Sequence, residues 1–235
     1  MWMRVTITCS MKLRSIVWLV VVSLTFLRSA SGQVFQNLDF ESANLSPIPA
    51  GQFGGEVPIT DAIPGWTGYL GTAQVSQVLQ NDYTLGAASL DILGPNWSLS
   101  GIIDGQYTVV LQPGAGSSGV TVGVSISQTG LIPTSTESLF FKAQPNSGAT
   151  TLLVSLGGQN VSFSAISTGP NYTLYGGNIS AFAGQAEQLT ITAVANAGNL
   201  WYIDDIQFSP SSVPEPSTLG LIALGGLLFG LRRSN

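Results

Sequence analysis

Between residues 33 and 210, short runs alternate apolar with small polar residues, and Gly, Pro, Asn and Ser interrupt them about every ten residues. No segment there keeps a sustained 3.6-residue apolar period. These observations predict an all-β domain, an antiparallel β-sandwich of jelly-roll type. Eight or more strands at such spacing suit two sheets better than an up-and-down barrel.

The clearest strand signal is Val120, Val122, Val124 and Ile126 alternating with Thr121, Gly123, Ser125 and Ser127, which places an apolar row on one face and a polar row on the other. Similar signals lie at 106–112, 137–143, 151–156, 159–166, 172–182, 188–194 and 200–208. Gly157-Gly158 between two of them marks a tight hairpin. Segments 113–119 and 144–150 read as loop tips, and 209–213 as a short stalk.

Before the domain, Met11, Lys12 and Arg14 open a basic segment, Ile16 to Leu27 is apolar apart from Ser23 and Thr25, and Ala30-Ser31-Gly32 offers small residues to a peptidase. Residues 1–32 therefore read as a secretory signal peptide, with Met11 a candidate true start and cleavage after Gly32 or Ser31. A retained anchor is the competing reading, and the run is short for one.

Charge excludes several functions. Only 8% of the 235 residues are charged, against about 25% in an ordinary soluble domain. Residues 33–213 hold one lysine, Lys142, against eleven acids, a net charge of −10. A phosphate backbone is repelled by such a surface, so no nucleic-acid partner is expected. The chain has no histidine, and its one cysteine, Cys9, falls in the leader. Imidazole catalysis, Ser-His-Asp triads, disulfides and thiolate metal sites are thus excluded from the exported part. A glycosidase needs only two carboxylates. No motif selects such a pair, and the expectation is a non-enzyme with no catalytic residues.

The C-terminal segment 211–235 has three parts: a Pro-Glu-Pro motif within 213–217, an apolar stretch at 218–231, and Arg232-Arg233. Two prolines stop a helix from extending upstream, and the arginines stay cytoplasmic, leaving residues 33–213 outside. As a helix the stretch rises about 21 Å, short of a hydrocarbon core of about 30 Å, which suits a transient single transmembrane sorting helix. With Pro214, Glu215, Pro216, Arg232 and Arg233 as its residues, the segment resembles the PEP-CTERM sorting signal. The resemblance implies processing by an exosortase-type transpeptidase and location at the surface of a Gram-negative bacterium. A glycolipid-anchor signal competes, but such signals normally end on their apolar tail. Gly226 and Gly230 also form a small-residue helix-pairing motif, and five Asn-x-Ser/Thr sequons read as chance in a chain rich in those residues.

Asn37, Asp39, Phe40 and Glu41, then Pro64-Gly65-Trp66, then the closing run Trp201-Tyr202-Ile203-Asp204-Asp205-Ile206 together resemble carbohydrate-binding-module jelly rolls. That resemblance implies polysaccharide as ligand and a structural calcium held by Glu41 and Asp205, with Asp39 as a further candidate; hard cations require several such oxygens. On a regular strand Asp204 and Asp205 face opposite sides, so only one can serve that site. A sugar's C–H face stacks on aromatic rings, which makes Trp97, Tyr69, Tyr172 and Tyr175 the candidate platforms, Trp97 foremost because it lies in a turn-rich segment. Trp66 reads as core. A purely structural envelope or matrix component without a specific ligand is the alternative, and a glycoside-active enzyme a third.

Overall fold

The computed structural model of the chain describes residues 32–52, 54–95, 97, 101–146, 151–195 and 199–213. The signal peptide and the sorting residues Pro214, Glu215, Pro216, Arg232 and Arg233 lie outside them.

The first half of the domain contains β1 (Gly55–Pro58), the helical turn α1 (Ile59–Ala62), β2 (Thr67–Leu70), β3 (Ala73–Val75), β4 (Gln77–Gln80), β5 (Ser89–Leu93), β6 (Thr108–Gln112), β7 (Gly114–Ala115) and β8 (Thr121–Val122). The second contains β9 (Val124–Leu131), β10 (Ser138–Pro145), β11 (Leu152–Leu156), β12 (Gln159–Asn160), β13 (Ser164–Thr168), β14 (Thr173–Asn178), β15 (Ala186–Ala193) and β16 (Trp201–Ser209). They form an eight-stranded sheet in the order β1-β4-β5-β6-β16-β10-β14-β13, a six-stranded sheet in the order β12-β11-β15-β9-β2-β3, and a small β7-β8 ribbon. The result is the expected β-sandwich, antiparallel except where β4 and β5 run parallel.

Inward-facing residues of both sheets make one apolar core. Ile126, Leu189 and Ile191 come from the six-stranded sheet, and Val109, Leu111, Phe141 and Ile203 from the eight-stranded one. Trp66 is packed inside as expected, at 5.7 Å from the Phe40 ring, with its indole N–H donating to the Asn37 carbonyl at 2.9 Å. Gly157 and Gly158 both have positive φ, 55° and 78°, and join β11 to β12 through a two-residue turn that favours glycine.

Three expected strands are redrawn. The 120–127 run begins later, because Val120 is exposed and Val122 belongs to the ribbon; a side chain at Gly123 would meet the Ala193 carbonyl at 2.8 Å. The 159–166 run splits into β12 and β13, and 172–182 ends in a 3-10 turn at Ser180–Phe182. The loop tip at 113–119 is partly the β7-β8 hairpin.

The sheet's outer face is not uniformly wet. Leu93, Val110 and Tyr202, which alternate with core residues on β5, β6 and β16, form a second apolar cluster with Ile103 and Leu200. Ile103 belongs to the connection before β6 and packs in that cluster with Leu93 and Val110, while the Gln112 amide donates to the carbonyls of Thr84 and Ala87; β5 and β6 are buried at every position. That covering connection brings two sites together.

Candidate functional site

The first site is a groove of about 700 Å³ beside the second apolar cluster. One wall is the segment 45–52, containing Pro47 and Pro49. The other is built from Gln80, the last residue of β4, and from Asn81, Asp82 and Tyr83 after it, with Pro95, Trp97 and Tyr107 completing the lining.

Local chemistry fixes each wall. Asn81 turns the chain out of β4 with φ 48°, a left-handed conformation that Asn tolerates better than most residues. Its buried side chain accepts from the Gly94 amide at 2.7 Å and donates to the Pro95 carbonyl at 3.3 Å, pinning the segment that presents Trp97. The Gln80 amide donates to the Ser46 carbonyl at 3.3 Å and holds the opposite wall. Trp97 is half-buried, and Tyr83 meets it edge-on at 4.9 Å and 82°. The Tyr83 hydroxyl lies 2.9 Å from that of Tyr202, anchoring the pair to β16, and burial pushes its pKa up. Asp82 is partly exposed in the groove, with one carboxylate oxygen accepting from the Tyr83 amide at 2.8 Å.

The groove thus offers aromatic surface, a carboxylate acceptor and amides in one concavity, a combination suited to hydroxyl-rich ligands with apolar faces. Of the four expected platforms, the structure places Trp97 in it and the other three elsewhere. Tyr69 sits on β2 opposite Ser125, on the outer face of the other sheet. Tyr172 flanks the second cluster, with the Lys142 ammonium 5.2 Å from its ring. Tyr175 packs between Phe141, stacked at 5.4 Å, and Trp201, edge-on at 6.2 Å. Asp82 and Tyr83 were not among the expected site residues; they follow β4, a four-residue strand too short for its end to be marked in the sequence.

The second site is acidic. Asp39, Glu41, Asp104, Asp204 and Asp205 line a pocket of about 250 Å³. Asp204 and Asp205 reach it together because β16 is not regular. Phe140 pairs with Gln207 and Lys142 with Asp204, leaving one extra residue on β16, and Asp205 has φ 46°. This β-bulge reverses the alternation: Trp201 and Ile203 face the core before it, Ile206 and Phe208 after it.

Asp204 is 1% exposed. It accepts from the Thr108 hydroxyl at 2.6 Å, the Asp205 amide at 2.8 Å and the Asp104 amide at 3.3 Å. Burial outweighs these bonds and pushes its pKa up to about 7. Glu41 accepts from the Gln106 and Tyr107 amides at 2.8 and 3.0 Å. The Lys142 ammonium pairs with Asp104 and, at 2.8 Å, with Asp205. Partial burial works against its charge, yet the bonds to both carboxylates raise its pKa, and the Lys142 bond lowers that of Asp104.

These oxygens have the chemistry that calcium uses, but not the convergence. Among the described residues no three acidic side chains share a metal-binding geometry. Lys142 engages Asp205, and Glu41 is turned toward backbone amides. The arrangement as it stands is a protein-internal ion cluster.

Comparison with known proteins bears on the two parts of the chain separately. Residues 212–234 match the PEP-CTERM protein-sorting motif. The chain carries that motif, which implies exosortase-dependent export and surface or membrane anchoring in bacteria. No curated protein matches the chain. Among solved structures, one described as TmCBM61 in complex with β-1,4-galactotriose is similar at 15% identity, covering 75% of this chain and 97% of its own, with a TM-score of 0.41.

Proposed function

We propose that the chain is a surface or extracellular-matrix protein of a Gram-negative bacterium, processed by an exosortase-type transpeptidase, and that its non-catalytic sandwich binds polysaccharide in the Trp97 groove. The observation that carries the binding claim is the placement of Trp97, propped by Tyr83, in one concavity with the Asp82 carboxylate. Rings of this kind stack on the C–H face of a sugar while a carboxylate accepts its hydroxyls. A non-catalytic role is supported by the acids themselves. Asp82 is the acid lining the groove among its described residues, whereas hydrolysis needs a pair. The perturbed Asp204 is buried under three hydrogen bonds, out of reach of a polymer.

Affinity electrophoresis against bacterial and plant polysaccharides tests the proposal. Retardation by at least one polymer, abolished in Trp97→Ala with unchanged melting, is the expected result. No retardation by any polymer would leave the alternative, a structural envelope component without a ligand. The calcium role of Glu41, Asp205 and Asp39 is a separate part of the proposal and requires Lys142 to release Asp205. Higher melting temperature in calcium than in chelator is its expected sign; superimposable curves would retire it.

A further inference from the structure

We propose, resting on the polysaccharide reading of the groove, that the ligand is an uncharged polymer and that the site excludes glycans bearing uronate or sulfate groups. An anionic sugar is held most strongly where its acid group meets a fixed cation, commonly an arginine fork or a lysine. The described residues lining the groove include no basic side chain. The domain's one basic side chain lies elsewhere in this structure: residues 33–213 contain Lys142 alone, and its ammonium is held by Asp104 and Asp205 in the acidic pocket.

What the groove does carry is negative. Asp82 sits in the lining, and Glu41, outside the groove, accepts from the backbone amide of the lining residue Tyr107 at 3.0 Å. Asp39 is exposed beside Glu41 in the neighbouring pocket, where Lys142 pairs with Asp104 and Asp205. A polyuronate seated on Trp97 therefore meets the like charge of Asp82 in the same groove, a repulsion that salt screens. A neutral sugar meets the opposite situation. Its hydroxyls are donors, and the Asp82 carboxylate accepts up to about four hydrogen bonds, one of them already taken by the Tyr83 amide. The apolar ring faces of Trp97 and Tyr107 suit either polymer, so charge decides between them.

The test titrates the full chain with a neutral galactan and with polygalacturonate of matched length, at low and at high salt, and repeats both with Asp82→Lys. Expected is saturable galactan binding, at least tenfold weaker polygalacturonate binding at low salt, a gap that narrows as salt rises, and improved polygalacturonate binding in Asp82→Lys. Equal or tighter binding of polygalacturonate at low salt would overturn the inference while leaving the polysaccharide reading intact. Binding of neither polymer, nor of neutral glucans or mannans run alongside, would overturn that reading and this inference with it.

Discussion

The carboxyl of Asp204 should make the domain more stable in mild acid than at neutral pH. Its pKa is about 7 in the folded chain against an ordinary 3.8. Across pH 4–7 the folded chain therefore holds a proton that the unfolded chain has released, and stability is lost as pH rises through that window. The shift of about three units corresponds to roughly 4 kcal/mol, fully present below about pH 4 and gone above about pH 7. Asp91, also raised by burial, acts in the same direction, so the contribution of Asp204 must be isolated by substitution. In Asp204→Asn an amide oxygen at the Oδ2 position still accepts from the Thr108 hydroxyl and the Asp104 amide, loses only the bond from the Asp205 amide, and does not titrate. Urea denaturation at unit intervals from pH 4 to 8 should show wild-type stability falling with pH and the variant falling by several kcal/mol less. Identical slopes in the two proteins would refute the assignment of a proton to Asp204.

Other perturbations have equally definite outcomes. Lys142→Met leaves Asp205 and Asp104 without their cation and should cost about 1–3 kcal/mol by chemical denaturation, between the exposed and fully buried limits for ion pairs. Gly105→Ala places a side chain against the Glu41 carboxylate at a φ of 56° and should cost about 1–3 kcal/mol, read as a lowered melting temperature. Trp66→Ala empties a fully packed position and removes the bond to the Asn37 carbonyl, a loss of about 3–5 kcal/mol measurable in urea. Trp97→Ala, on a half-buried ring at the groove, should move stability far less than it moves glycan retention.

Much of the second half of the fold was legible because its strands alternate. Val124 and Ile126 on β9, and Leu189 and Ile191 on β15, are core residues separated by polar neighbours, the period-2 pattern itself. The strands from Gly55 to Leu93 were not legible. β1 and β4 are four residues long, β2 contains a glycine packed against Leu90, and β5 is buried on both faces, which erases alternation. Trp97 stood out from its turn-rich surroundings, but its partners did not. Asn81 pins Gly94, and Tyr83 reaches Tyr202 across 119 positions of sequence, contacts that no local pattern encodes. The rule that Asp204 and Asp205 diverge holds for a regular strand, and the bulge at Asp205 removes its premise. Nothing in the residue types marks that bulge; a glycine at the left-handed position would have done so.

The central claim, that sugar is held in the Trp97 groove, is tested most directly by an NMR titration of the isotope-labelled chain with a neutral oligosaccharide. The account predicts saturable shifts at the Trp97 indole and at the Asp82 and Tyr83 amides, with Tyr69 on the opposite sheet unmoved. Saturable shifts centred on Tyr69 or Tyr175 while Trp97 stays silent would contradict it.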